Sequence, residues 1–168
     1  MAAGNTYVPI SSTTLGGNGT ITFTSIPSTY TDLRIIINGG ITNFGWDFRW
    51  RFNSDAGTNY SEVSMTTDGS SSSTSRTTNA TKITCALGQT NNTLNNITIV
   101  DVLSYASNKY KTCLIRSNNA TSGASSVVGL WRSTSAINSI YIYCGASNDG
   151  QADLYAGTVV TLYGIAAA

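Results

Sequence analysis

Histidine is absent from the chain, and its absence bounds the available chemistry. Imidazole is the commonest general base, a frequent metal ligand and the usual partner of a serine or cysteine nucleophile. Acid–base work would fall to eight carboxylates, Asp32, Asp47, Asp55, Glu62, Asp68, Asp101, Asp149 and Asp153. They are scattered singly, and no two-carboxylate glycosidase pair can be read from their spacing. The three cysteines, Cys85, Cys113 and Cys144, stand far apart, with no CxxC pair for zinc or redox exchange. Each lies in a β-like apolar run, so buried free thiols are expected instead of a disulfide. Asn53-Ser-Asp55-Ala-Gly57 begins like a calcium loop, but its ligand alternation stops there and no bidentate glutamate follows at the required spacing. An Asx-stabilised turn accounts for it better. The sequence therefore predicts no enzyme, no metal and no cofactor.

The elements that would position such residues are strands. Trp46–Tyr60 is the organising stretch. Trp46, Phe48, Trp50 and Phe52 alternate with Asp47, Arg49, Arg51 and Asn53, the period of a half-buried strand. Large aromatics dominate core energetics, so this is expected to be a central core strand, with Trp131 as a further core residue. Tyr60–Thr66 resumes the alternation and reads as its antiparallel partner. Similar short runs recur at Tyr7–Ser12, Thr20–Ile26, Asp32–Asn38, Lys82–Leu87, Ile97–Leu103, Tyr110–Arg116, Val127–Arg132, Ser139–Cys144 and Thr158–Ile165. Asp68–Asn79, rich in serine, reads as a surface loop. About ten short strands without helical periodicity predict an all-β fold, an antiparallel, jelly-roll-like β-sandwich. Residues 1–10 are expected to form an N-terminal arm or edge strand, where Pro9 fits, and residues 11–168 a single domain.

Composition narrows the partners. Charged residues make up 10% of the chain and the net charge is +1, which leaves no electrostatic footprint for nucleic acid. Met1–Ile10 has neither the basic nor the apolar region of a signal peptide, and no apolar run reaches membrane-spanning length. Asn-x-Ser/Thr matches arise by chance in a chain so rich in these residues. Tyr141 and Tyr143 alternate with Ile140 and Ile142, so they are expected to point outward, as are Arg49 and Arg51. Tyrosine and arginine are enriched at protein interfaces, which makes Tyr7, Pro9, Arg49, Arg51, Tyr141 and Tyr143 the interface candidates. A solvated sheet face is the competing reading.

The ordered motifs Phe23–Leu33, Arg51–Tyr60, Gly129–Ile137 and Thr161–Ile165 resemble a family of small β-rich virion proteins of tailed bacteriophages, often met in phages of cyanobacteria and other aquatic bacteria. The resemblance spans nearly the whole chain. It implies a structural protein of the virion, assembled in the host bacterial cytoplasm, with no catalytic residues to carry over. A lone module without a fibre shaft implies a capsid decoration (cement) protein on the capsid surface. Its partners would be the major capsid protein and further copies of itself, as a homo-oligomer (dimer or trimer), with no nucleic acid and no membrane. The alternative is a receptor- or carbohydrate-binding module of a tail fibre, which needs an exposed aromatic platform.

Overall fold

The computed structural model describes residues 6–42, 47–85, 96–119, 123–145 and 151–166. Thirteen strands are present among them: β1 (Tyr7–Thr14), β2 (Ile21–Phe23), β3 (Asp32–Gly39), β4 (Asp47–Phe52), β5 (Tyr60–Thr67), β6 (Ser72–Ala80), β7 (Ile83–Cys85), β8 (Asn96–Leu103), β9 (Lys111–Asn119), β10 (Gly123–Trp131), β11 (Ile140–Gly145), β12 (Gln151–Ala152) and β13 (Val159–Ile165). Ten are six residues or longer; the expected strands Thr20–Ile26 and Lys82–Leu87 are only three residues each, and β6 stands where a loop is expected.

These strands form two antiparallel sheets, a β-sandwich as the sequence predicts. The large sheet has eight strands in the order β1-β13-β3-β8-β9-β10-β5-β6. The small sheet has the order β12-β11-β4-β7, with β2 also paired to β11. The first five strands alternate between the sheets, whereas β8, β9 and β10 form a meander within the large sheet. The core lies between the inner faces. Leu33, Ile35, Ile37, Val100, Val102, Ile115, Val127 and Leu162 meet Phe48, Trp50, Phe52, Ile83, Ile140 and Ile142. The three thiols are free and buried in this layer. Burial pushes the Cys85 thiol up to about 12, so none of its thiolate, the nucleophilic form, is available at neutral pH.

Several expectations are corrected. Tyr60–Thr67 does not return beside β4. It joins the large sheet between β10 and β6. The reason lies in the turn. Asn53 and Ser54 both take positive φ, 51° and 57°, which carries the chain out of the small sheet. The Tyr60 hydroxyl then bridges the sheets, accepting from Phe52 N at 3.0 Å and donating to Asp55 O at 3.1 Å. Asp68–Asn79 is not a loop beyond its first residues. Asp68 accepts from Ser70 N and Ser71 N at 2.9 and 2.7 Å and closes a tight turn, after which β6 pairs along β5. Cross-strand hydroxyl pairs, Ser64 with Ser75 and Thr66 with Ser73, take the place of apolar alternation. Trp46 lies outside the described residues.

The segments Phe23–Leu33, Arg51–Tyr60, Gly129–Ile137 and Thr161–Ile165 are tied together by side-chain contacts. The Tyr30 ring sits where a Cβ on Gly164 would stand, 2.3 Å from its nearest atoms. Tyr105 OH donates to Pro27 O and accepts from Tyr30 N. Asn53 donates to Ala136 O at 2.8 Å and accepts from Asn138 N at 2.9 Å. Asp55 accepts from Gly57 N at 2.8 Å, Asn59 Nδ2 at 2.9 Å and the Trp131 indole at 2.7 Å. These hydrogen bonds hold Asp55 below the usual carboxylate range against the opposing effect of burial. The ligand-like Asn/Asp stretch is thus consumed by the fold, as the turn reading expects. The buried Lys111 ammonium donates to the carbonyls of Ser107 at 2.8 Å, Lys109, and Ser133 at 3.4 Å.

Candidate interaction surface

The sequence-selected residues fall on opposite faces of the sandwich. Arg49, Arg51, Tyr141 and Tyr143 lie on the outer face of the small sheet, where Tyr141 opposes Arg51 and Tyr143 opposes Arg49. The tyrosine rings stack at 4.9 Å, and the Arg51 guanidinium lies 5.3 Å above the Tyr143 ring. Arg51 also donates to Thr81 O at 3.1 Å. This packing corrects the expected exposure of two of the four. Arg49 is 2% and Tyr143 1% exposed. Tyr141 and Arg51 remain half-buried. Trp131, together with Phe52 and Tyr60, belongs to a buried aromatic cluster at ring spacings of 5.6 and 6.3 Å, so it offers no stacking platform.

Tyr7 and Pro9 belong to the other face. They lie on β1, which pairs with β13 at one margin of the large sheet. Tyr7 packs edge-on against Tyr163 and under the Arg34 guanidinium, which also donates to its hydroxyl at 2.7 Å. Arg34 clamps Asp101 through two bonds, 2.5 and 2.9 Å, and Arg116 reaches the same carboxylate at 3.4 Å. The paired charges let Asp101 sit on a sheet face at 9% exposure.

Following the register inward from Tyr7's neighbours reveals what the sequence reading missed. Directly opposed residues share a face, so one row crosses the whole outer surface of the large sheet: Pro9, Tyr163, Arg34, Asp101, Leu114, Val128, Val63 and Arg76. Its middle is apolar and open. Leu114 is 41%, Val128 50% and Val63 51% exposed, and Met65 beside them is 60% exposed. With strands about 4.8 Å apart, the apolar part of the row spans roughly 10 Å and extends through Leu130 and Met65 into a patch.

A groove of about 310 Å³ deepens this patch, lined among others by Val63, Val128, Leu130 and Arg76. A register shift between Tyr60 and Glu62 puts the groove there. The extra residue lies on β6, where Asn79 takes a positive φ of 55°, and such a bulge bends its strand. Arg132 fixes the bend by donating to Ser61 Oγ at 2.5 Å, Thr58 O at 2.6 Å and Asn79 Oδ1 at 3.0 Å. A usable signal existed for this patch. β5, β9 and β10 carry apolar residues on both parities, and the inner set is already filled by Tyr60, Cys113, Ile115, Val127 and Trp131.

Among the described residues there is no group of three or more histidine, cysteine, aspartate or glutamate side chains placed to hold a metal, and no helix long and apolar enough to cross a membrane. Comparison of the chain with protein-family models, with curated proteins and with solved structures finds no match.

Proposed function

We propose that the protein is a structural component of a tailed-bacteriophage virion, a decoration (cement) protein that docks on the outer capsid surface and bridges neighbouring capsomers. One observation carries this reading beyond the sequence resemblance. The outer face of the large sheet presents a contiguous apolar patch, Leu114, Val128, Val63 and Met65, flanked along the row by Asp101, Arg34 and Tyr163 on one side and by Arg76 on the other. An apolar centre with a polar rim is the anatomy of a protein-docking site, and patches of this kind on otherwise soluble domains mark interaction surfaces. The partner is the major capsid protein. Tyr7 and Pro9, from the sequence-selected set, lie at the rim of the same face.

The test is occupancy of purified capsids that lack the protein. Val63 and Val128 are half-exposed, so V63K/V128K leaves the fold intact, with a stability change within about 0.5 kcal/mol per site. Each valine is already half-covered, so each lysine removes about 0.75–1.5 kcal/mol of apolar contact, and affinity for the capsid falls by roughly ten- to a hundredfold. Undiminished occupancy by the folded variant contradicts docking through this face.

The alternative, a receptor- or carbohydrate-binding module of a tail fibre, would rest on the half-buried Tyr141 and its stacked neighbour Tyr143, because Trp131 is in the core. Glycan binding abolished by Tyr141→Ala would favour it over the capsid reading.

A further inference from the structure

We propose that β6 is a pairing edge through which two copies of this chain join antiparallel, about a two-fold axis normal to the sheet, into one continuous sheet. The inference comes from comparing the sheet margins. Unpaired strand edges invite further strands, and folded proteins blunt them with proline, bulges, charge or brevity. β1 carries Pro9 and a register shift between Pro9 and Ser11. β7 is three residues long, and the Glu62 carboxylate accepts its Thr84 N–H at 2.5 Å. β2 and β12, at the opposite margin of the small sheet, have three and two residues. β6 is blunted least: its register shift is confined to the Asn79–Ala80 end, and Ser72 to Thr77 pairs regularly with β5. It is nine residues long, lacks proline, carries the single charge Arg76, and is exposed at every position from Ser72 to Asn79.

The exposure also identifies the occupant. Both faces of β6 are open, so an apolar strand added at this edge would bury nothing. The fitting partner is a polar strand joined by main-chain hydrogen bonds and hydroxyl pairs. β6 already makes such pairs with β5, Ser75 to Ser64 at 3.2 Å and Ser73 to Thr66 at 2.7 Å, and a second β6 offers the same hydroxyls. Arg76 sets the register. Like charges directly opposed are destabilising, so the pair centres near Thr74, with each Arg76 facing Ser72 of the other copy. A two-fold of this kind is closed, so pairing stops at the dimer. It also keeps the two outer faces on one side, so both apolar patches address the same surface. That last consequence rests on the capsid reading, whereas the pairing itself does not.

Sedimentation equilibrium of the full chain alone, from micromolar to near-millimolar concentration, tests it. The expected result is a reversible monomer–dimer equilibrium. T74K/T78K, which puts further positive charges on this exposed strand, weakens the dimer about tenfold or more and leaves the melting temperature unchanged at concentrations where the chain is monomeric. Arg76→Ser, which removes the only charge, tightens it. A chain that stays monomeric, one that grows beyond the dimer, or a dimer indifferent to both β6 variants would overturn the proposal. Because no capsid is present, failure here is distinct from failure of docking, which V63K/V128K reports.

Discussion

Trp131→Ala is expected to lower stability by about 3–5 kcal/mol, the usual loss for a large buried aromatic. Trp131 ends β10 on its inner face, opposite Tyr60 on one side and Lys111 on the other. Its ring stacks on Tyr60 and tilts against Phe52, and it is 2% exposed. Its indole N–H satisfies Asp55 at 2.7 Å, so truncation removes packing and a charge-assisted bond together. Trp131→Phe separates the two. It keeps most of the aromatic packing and loses the N–H, at about 1.5–3 kcal/mol. The hydrogen bond holds Asp55 below its ordinary value of 3.8, so part of its contribution is present above pH 3.8 and lost as pH falls through the folded value. Chemical unfolding of both variants checks the pair of values. A Trp131→Ala protein of wild-type stability would contradict its place in the core.

Glu62→Gln is expected to stabilise the protein at about pH 8 by roughly 2–3 kcal/mol. Glu62 points inward from β5 in the row Glu62, Gly129, Cys113, and burial raises its carboxyl from 4.5 to about 7. Asp47 reinforces the rise, while Thr84 N–H, Lys82 and Arg49 oppose it. Between 4.5 and about 7 the folded chain holds a proton that the unfolded chain releases. The contribution is therefore full below 4.5 and is lost as pH climbs through about 7. Glutamine still offers an oxygen to Thr84 N–H and has no charge to desolvate. Asp47 is also raised, chiefly by burial, so a smaller slope of the same sign remains in the variant. Urea unfolding at about pH 5 and about pH 8 measures the difference. Parallel curves for wild type and Glu62→Gln would contradict the assignment of this slope to Glu62.

What the sequence conveyed follows from what alternation can encode. β3, β4 and β11 were legible because their inner faces are uniformly large and apolar, Leu33 to Ile37, Phe48 to Phe52 and Ile140 to Ile142. β6 was not, because its pairing is written in hydroxyls, which look the same in a strand and a loop. Partner choice was not legible either. β4 and β5 are adjacent in sequence, but the positive φ of Asn53 and Ser54 sends β5 to the other sheet, and neither residue type demands that. The candidate surface failed for the same reason. The apolar outward residues of β5, β9 and β10 can each be read singly, but their union into one row depends on register, which no single strand discloses. Arg49 and Tyr143 lie on the parity opposite the core residues of their strands, yet both are buried, and parity alone does not disclose what covers a face.

The central claim is that this chain is a stoichiometric component of a capsid lattice. Quantitative mass spectrometry of purified virions against the major capsid protein tests it most directly. The account predicts a fixed lattice fraction, on the order of the capsid's own subunit count, because symmetric assemblies repeat each contact. A few to a few dozen copies would contradict the cement role and favour the tail-fibre alternative, and absence from the particle would contradict the virion reading itself.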